Sequence, residues 1–271
     1  IIKVPSNDPL TAMAIVRTLH DIAPDHPITK HLTVAYWKGG DTKLEAKLYR
    51  PENIEKIIAW GGFASVKHVT QYIQPGLELI SLDPKRSTTI IGAEAFDSEA
   101  TLQEVAARAA CDIGVANQEA CASARVIYVL SGTDAKGIDN INRLGELIYE
   151  KLMGLPEFIT TKPKTFDRDL AEHMDATRLD DTFYRIIGGE DLEGAVIVSQ
   201  FDEAVDYSSM LSGRVANLVP VDSIDKVTRA VTAYTQTVGI YPDSLKEELR
   251  DILPLYGAQR LTSLGYACAP T

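Results

Sequence analysis

The chain has 271 residues, 45% hydrophobic and 24% charged, the balance of a globular protein of one large or two ordinary domains. Its net charge of -11 argues against a general binder of nucleic acid or of anionic membranes, both of which need a basic surface, and no apolar run approaches the roughly 20 residues that cross a bilayer. Cys111, Cys121 and Cys268 are too sparse and too odd in number for a disulfide framework, and they fit a reducing cytoplasm. There is no C-x-x-C and the histidines are scattered, so no metal site is expected. No signal peptide is evident. The opening Ile1-Ile2-Lys3, without Met and already inside a strand-like run, is expected of a fragment of a longer protein.

In chain order, residues 1–5 predict a short strand. Asn7 or Asp8 caps the next helix, with Pro9 at its first position, and Leu10, Met13, Ala14, Val16 and Leu19 give it an apolar face. Residues 31–37 predict a strand closed by Gly39-Gly40, residues 42–49 a helix, and residues 56–60 a third strand. Gly61-Gly62 opens a third helix that runs to about Ile73. This alternation predicts a parallel sheet with right-handed crossovers, and its strand-to-helix turns are where a nucleotide would bind. Two further strands, 77–82 and 87–91, flank Asp83-Pro84-Lys85-Arg86. The domain boundary is expected in this stretch, giving units 1–82 and 83–271.

Thr101-x-x-Glu104 reads as a capping box. The helix that follows carries Leu102, Val105, Ala109 and Ile113 on one face. Helices are expected over 139–152 and 168–178, and strands over 184–187, 195–199 and 217–221. A helix over 224–235, a strand over 238–241, a helix over 245–253 and a strand over 259–264 complete the chain. There are no internal repeats and no low-complexity linker.

The stretch Asn117-Gln118-Glu119-Ala120-Cys121-Ala122-Ser123-Ala124-Arg125 lies between the long amphipathic segment and the β-branched run 126–130. Cys121 is therefore expected on a tight helix-to-strand connection, where free backbone N–H groups favour a thiolate. A small buried hydrophobe is the alternative for any free cysteine. The order Asn-Gln-x-x-Cys-x-x-x-Arg-Val resembles the nucleophile segment of the aldehyde dehydrogenase superfamily, and within it the acyl-CoA reductase (LuxC) branch, the reductase of bacterial luminescence. The resemblance implies an aldehyde-dehydrogenase-like α/β fold, with a partial parallel-sheet cofactor domain followed by an α/β catalytic domain. Asn117 and Gln118 count with Cys121 as its catalytic segment.

Other segments extend the resemblance over essentially the whole chain. Lys3-Val4-Pro5-Ser6-Asn7-Asp8-Pro9-Leu10 resembles the family's Lys-Pro-x-Glu-x-x-Pro-Leu, which binds the adenosine ribose. Lys3 matches the Lys, and Ser6 replaces the Glu. A carboxylate there repels a 2′-phosphate, whereas a hydroxyl donates to it, so the change points to NADPH. Gly61-Gly62 stands where the family meets pyrophosphate, and the resemblance matches Gly39 with the adenine side, a purely structural turn being the alternative. Ile80-Ser81-Leu82-Asp83-Pro84-Lys85 resembles Leu-Glu-Leu-Gly-Gly-Lys, with Ser81 in place of the water-activating Glu. Met210 aligns with the family's Glu that holds the nicotinamide ribose. The family's oxyanion Asn falls upstream of Ile1, and its C-terminal arm is cut near Thr271.

The resemblance implies NADPH-dependent reduction of a fatty acyl-CoA or acyl-protein thioester to the aldehyde through an acyl-Cys121 intermediate. It also implies acyl-transferase and acyl-protein synthetase partners, and a homo-oligomer. A short-chain acylating aldehyde dehydrogenase and an incomplete, non-catalytic subunit stay open as alternatives. Cys111 reads as core, His173 and Glu172 as a surface helix rather than a proton relay, and residues 175–181 as a solvated acidic face.

Overall fold

The computed structural model describes residues 1–82 and 84–269. Asp83 of the expected turn and Thr271 at the expected cut lie outside the described residues. The chain divides into two compact units, Ile1–Pro84 and Lys85–Thr271.

The first unit contains β1 (Ile2–Lys3), α1 (Thr11–Ile22), α2 (Pro27–His31), β2 (Val34–Ala35), α3 (Thr42–Leu48), β3 (Lys56–Trp60), α4 (Phe63–Thr70) and β4 (Glu78–Leu82). The pairings are parallel, β1 with β2 and β3 with β4. They form two separate two-stranded sheets among the described residues, not the single sheet that the alternation predicts. The first pair is two residues long on each side, too short to extend a ladder. The expected strand over 31–37 shrinks because Pro27 starts a helical turn, and the His26 ring nitrogen Nδ1 accepts the Ile28 N–H at 3.3 Å. The first helix begins at Thr11 rather than at Pro9. Asp8 still serves it, accepting the Thr11 N–H at 3.2 Å and the Thr11 hydroxyl at 2.9 Å.

The second unit is built on a seven-stranded sheet of β5 (Arg86–Ile91), β6 (Ala124–Val129), β7 (Tyr184–Gly188), β8 (Ala195–Ser199), β9 (Val215–Pro220), β10 (Thr235–Tyr241) and β11 (Arg260–Ser263). The strand order is β11-β10-β5-β6-β9-β8-β7, parallel throughout except for the antiparallel β7–β8 pair. Strands β8 and β9 are buried at every residue, which is why they read as continuous apolar runs rather than alternating ones.

Alternate side chains of the sheet feed different layers. Ile91, Ile127, Val129, Val196, Val198 and Leu218 pack with α5 (Glu99–Gly114) and α6 (Ala135–Met153). Ile90, Val219, Val238 and Ile240 pack with α8 (Ile224–Ala230), α9 (Asp243–Leu249) and α10 (Leu253–Tyr256). Ala195, Ile197 and Val215 pack with α7 (Arg168–Thr177).

Three boundaries differ from expectation for local reasons. The cap of α5 is Ser98, whose hydroxyl accepts the Thr101 N–H at 3.1 Å, so Thr101 lies inside the helix instead of capping it. The helix expected over 224–235 stops at Ala230, and the Thr235 hydroxyl accepts the Thr232 N–H at 3.1 Å to close the turn into β10. The helix expected over 245–253 ends at Leu249, and a separate short α10 starts at Leu253 with Pro254 in its first turn.

Candidate active site

The segment between α5 and β6 must reverse direction in few residues. It does so through a 3-10 turn, Val115–Gln118, in which Ala116, Asn117 and Gln118 take positive φ of 53°, 55° and 64°. Asn tolerates this region, whereas Ala and Gln are strained in it. Side-chain bonds hold the strained backbone. Asn117 Oδ1 accepts the Thr160 hydroxyl at 2.8 Å and the Thr161 N–H at 2.7 Å, and Nδ2 donates to the Thr161 hydroxyl at 3.3 Å.

Gln118 is 1% exposed. Its Nε2 donates to the Ala124 and Val215 carbonyls, both at 2.8 Å, and its Oε1 accepts the Val215 N–H at 2.9 Å. With its hydrogen bonds directed into the sheet, Gln118 is a positioning residue. Asn117 is likewise engaged with the 160–161 loop.

The chain then turns at Ala120–Ser123, where the Ser123 N–H donates to the Ala120 carbonyl at 3.1 Å. Cys121 is the first central residue of this turn, a free thiol and exposed. Its carbonyl accepts the Ser87 hydroxyl at 2.7 Å, and that hydroxyl in turn accepts the Thr237 N–H at 3.1 Å. Arg125 ties the turn from below, donating to the carbonyls of Leu211 (3.0 Å), Ser123 (3.0 Å) and Gln118 (3.2 Å). Burial, with Arg86 beside it, pulls the Arg125 pKa below its usual value. Cys121, Glu119 and Cys268 act in the opposite sense. Arg125 stays a cation, so a positive charge lies within electrostatic reach of the exposed thiol. The arrangement is an exposed sulfur on a hydrogen-bonded turn, suited to nucleophilic attack.

Cys111 is half-buried on α5, and burial together with Asp112 pushes its thiol up, as a core cysteine requires. Glu172 pairs with Arg168 at 2.8 Å on the exposed face of α7. His173 stacks on Tyr207 with ring centroids 5.0 Å apart. Met210, in the 3-10 turn Ser208–Met210, borders a surface cavity of about 360 Å³ together with Asp169, Glu172 and His173.

In the first unit, Ser81 lies on β4 in register with Ala59 of β3. Lys3 and Ser6 are brought to the end of β2. The Lys3 ammonium lies 5.9 Å from the Trp37 ring centroid, and the Tyr36 hydroxyl donates to Ser6 Oγ at 3.5 Å. A Cβ on Gly39 would meet Lys3 Nζ at 3.7 Å, whereas one on Gly62 would meet nothing within 4 Å. Gly61-Gly62 follows β3 directly, and Gly62 caps α4. The two glycine-bearing turns follow β2 and β3, with Lys3 and Ser6 near the first and the cap of α4 at the second.

The sequence reading missed what fixes these turns. Glu45 on α3 is 2% exposed and accepts from Trp37 Nε1 (3.2 Å) and Tyr72 (3.2 Å), and it pairs with His68 Nε2 (2.6 Å). Burial pushes its pKa up, but the bonds from His68, Trp37 and Tyr72 outweigh it and hold the carboxyl below its usual value. No local signal marks Glu45, because its partners are distant in sequence. Among the described residues, no group of three or more His, Cys, Asp or Glu could hold a metal ion, and no helix is long and apolar enough to cross a membrane.

The family model described as "Acyl-CoA reductase (LuxC)" matches residues 1–269. The "Long-chain acyl-protein thioester reductase" of Photorhabdus laumondii is 30% identical over 98% of this chain and 52% of its own length. The protein of that name from Vibrio harveyi is 27% identical over the same shares. The chain thus spans about half the length of these curated relatives. Among solved structures, an NAD-dependent aldehyde dehydrogenase from Burkholderia multivorans superposes with a TM-score of 0.66 at 13% identity, covering 99% of this chain and 51% of that one. An NAD-dependent benzaldehyde dehydrogenase from Corynebacterium glutamicum gives 0.67 at 14% identity, covering 96% and 56%. At such identities the likeness is one of fold, which is that of the aldehyde dehydrogenases. With the family model matched over nearly its whole length, the chain belongs to the acyl-CoA reductase (LuxC) family.

Proposed function

We propose that the full-length protein reduces a fatty acyl thioester, carried by CoA or by an acyl-protein, to the aldehyde, with Cys121 as the nucleophile. The observation that carries this reading is the exposed Cys121 thiol on a turn held by Arg125, Gln118 and Ser87. The names of the relatives, long-chain acyl-protein thioester reductases, support the substrate class.

Cys121 attacks the acyl carbonyl, the thiol of the donor leaves, and the acyl group stays on sulfur as a thioester. The backbone N–H of Cys121 helps to hold the developing oxyanion. NADPH supplies the hydride when bound. Lys3 places a positive charge and Ser6 a hydroxyl donor toward a 2′-phosphate, and the backbone at Gly61 and Gly62 approaches the pyrophosphate without side-chain obstruction. Partners that deliver the acyl group, an acyl-transferase and an acyl-protein synthetase, belong to the same reading, as do a cytoplasmic setting and a homo-oligomer.

Ser81 gives the reaction its direction. A hydroxyl is no base near neutral pH, so the acyl-enzyme is not hydrolysed with the help of a positioned base, an effect typically worth about 10²- to 10⁴-fold. Ser81→Glu should accelerate hydrolysis of the acyl-enzyme in the absence of NADPH and lower the aldehyde yield. Unchanged hydrolysis in a folded variant would remove Ser81 from the mechanism. The reading as a whole is tested by aldehyde formation from a long-chain acyl thioester and NADPH. Wild type should form aldehyde and Cys121→Ala none, whereas equal turnover by both would overturn it.

A further inference from the structure

Cys268 takes no part in the proposed reaction, yet two charged side chains, the buried Asp112 and the half-buried Arg260, position it. It sits on the turn after β11. Asp112 of α5 is 2% exposed and accepts the Gly265 N–H at 2.8 Å on one oxygen and the Ala267 N–H at 2.9 Å on the other. Arg260 donates to the carbonyls of Ala267 (2.6 Å), Tyr266 (3.3 Å) and Ala269 (2.9 Å). Carboxylate and guanidinium thus grip the backbone of one short turn, and the side chain so fixed is a thiol. Its sulfur lies 3.9 Å from Ser123 Oγ. Ser123 closes the same β-turn that carries Cys121, so the Cα atoms of Cys121 and Ser123 are within about 7 Å of each other.

The two thiols differ in access. Cys121 is exposed, so an oxidant from solvent reaches it readily. Cys268 is half-buried, and burial, with Asp112 and Cys121 adding to it, pushes its thiol up against the Ser123 hydrogen bond and the Arg260 charge. Cys121, the more accessible of the two, is therefore the first to meet an oxidant.

We infer that Cys268 is the resolving thiol of Cys121, a modification site that turns an oxidised nucleophile into an internal disulfide. A hydroperoxide gives one oxygen to the sulfur of the Cys121 thiol, whose proton is retained among the products. The O–O bond breaks, the sulfur loses two electrons to become a sulfenic acid, and the peroxide leaves as its alcohol, or as water from hydrogen peroxide. The Cys268 sulfur then attacks the Cys121 sulfur. The S–S bond forms, the S–O bond breaks, and the hydroxyl leaves with the Cys268 proton as water. The exposed turn closes onto Cys268 to bring the two Cα atoms within disulfide range. The disulfide keeps Cys121 from the irreversible sulfinic and sulfonic acids, and a dithiol returns both residues to thiols. The inference rests on Cys121 being a reactive exposed thiol, as in the proposed function, but not on its acyl chemistry.

The test treats the full-length protein with a few equivalents of hydrogen peroxide, followed by non-reducing tryptic digestion and mass spectrometry. A linked pair is expected between the peptide spanning 109–125 and the one that begins at Leu261, with the bond assigned to Cys121 by fragmentation and lost on treatment with dithiothreitol. Cys268→Ala and the near-isosteric Cys268→Ser should lack the linked pair and accumulate sulfinic acid at Cys121 several-fold faster. Equal sulfinic acid formation in wild type and both variants, or a bond from Cys121 to Cys111 or to a second molecule, would overturn the inference. The linked peptide is read without substrate, so its absence overturns this inference alone, and failure of Cys121 to take an acyl group overturns the proposed function alone.

Discussion

Gln118 and Val215, 97 residues apart, hold each other through both backbone polar atoms of Val215. Gln118 Oε1 accepts the Val215 N–H and Gln118 Nε2 donates to the Val215 carbonyl. A side-chain amide thus stands in for a strand neighbour at the start of β9, and it does so from a residue held at positive φ three positions before Cys121. The geometry of the turn that carries Cys121 is in this way tied to β9 of the sheet.

Gln118→Ala leaves the Val215 N–H and two buried carbonyls without partners. A destabilisation of about 3 kcal/mol is expected, measured by denaturant unfolding, together with slower acylation of Cys121 in the folded fraction. A loss below about 0.5 kcal/mol would show that the sheet closes without this tie.

Asp112 makes stability depend on pH. Burial holds its carboxyl up at about 6, against the pull of the Ala267 and Gly265 N–H groups and of Arg260. The unfolded value is about 3.9. A folded pKa above the unfolded one means that the contribution is fully present below about pH 4 and lost as pH rises through about 6, amounting to at most about 3 kcal/mol. Unfolding of wild type and Asp112→Asn compared from pH 4 to 7.5 should show wild type losing stability relative to the variant across that window. A difference that does not change with pH would mean that Asp112 does not titrate there.

Ser6→Glu places a carboxylate beside the hydroxyl position of the first unit. It should weaken NADPH about tenfold or more while changing NADH little, because only NADPH carries the 2′-phosphate that a carboxylate repels. Apparent affinities of the full-length protein for the two cofactors measure this. An equal effect on both would remove Ser6 from phosphate recognition.

Where one residue's neighbours in sequence are also its neighbours in space, the chain was legible. The strands expected over 195–199 and 217–221 appear as the buried strands Ala195–Ser199 and Val215–Pro220, and the Asn-Gln-x-x-Cys segment became a helix-to-strand turn with an exposed thiol. The three left-handed residues at Ala116–Gln118 were not legible, because Ala and Gln do not favour that conformation and partners far along the chain, among them Thr160, Thr161 and Val215, help to hold them in it. Gln118 looked catalytic for its place in the motif, and burial makes it a structural tie. Glu45 and Asp112 escaped notice for the same reason, since each is a charged residue in a helix whose purpose is set by donors from distant segments.

The most direct test is covalent. The full-length protein is incubated with a long-chain acyl-CoA without NADPH, digested and analysed by mass spectrometry. One acyl group is expected on residues 109–125, assigned to Cys121, absent from Cys121→Ala and retained in Cys111→Ala. An acyl group that persists in Cys121→Ala, or that maps to Cys111, would contradict Cys121 as the nucleophile.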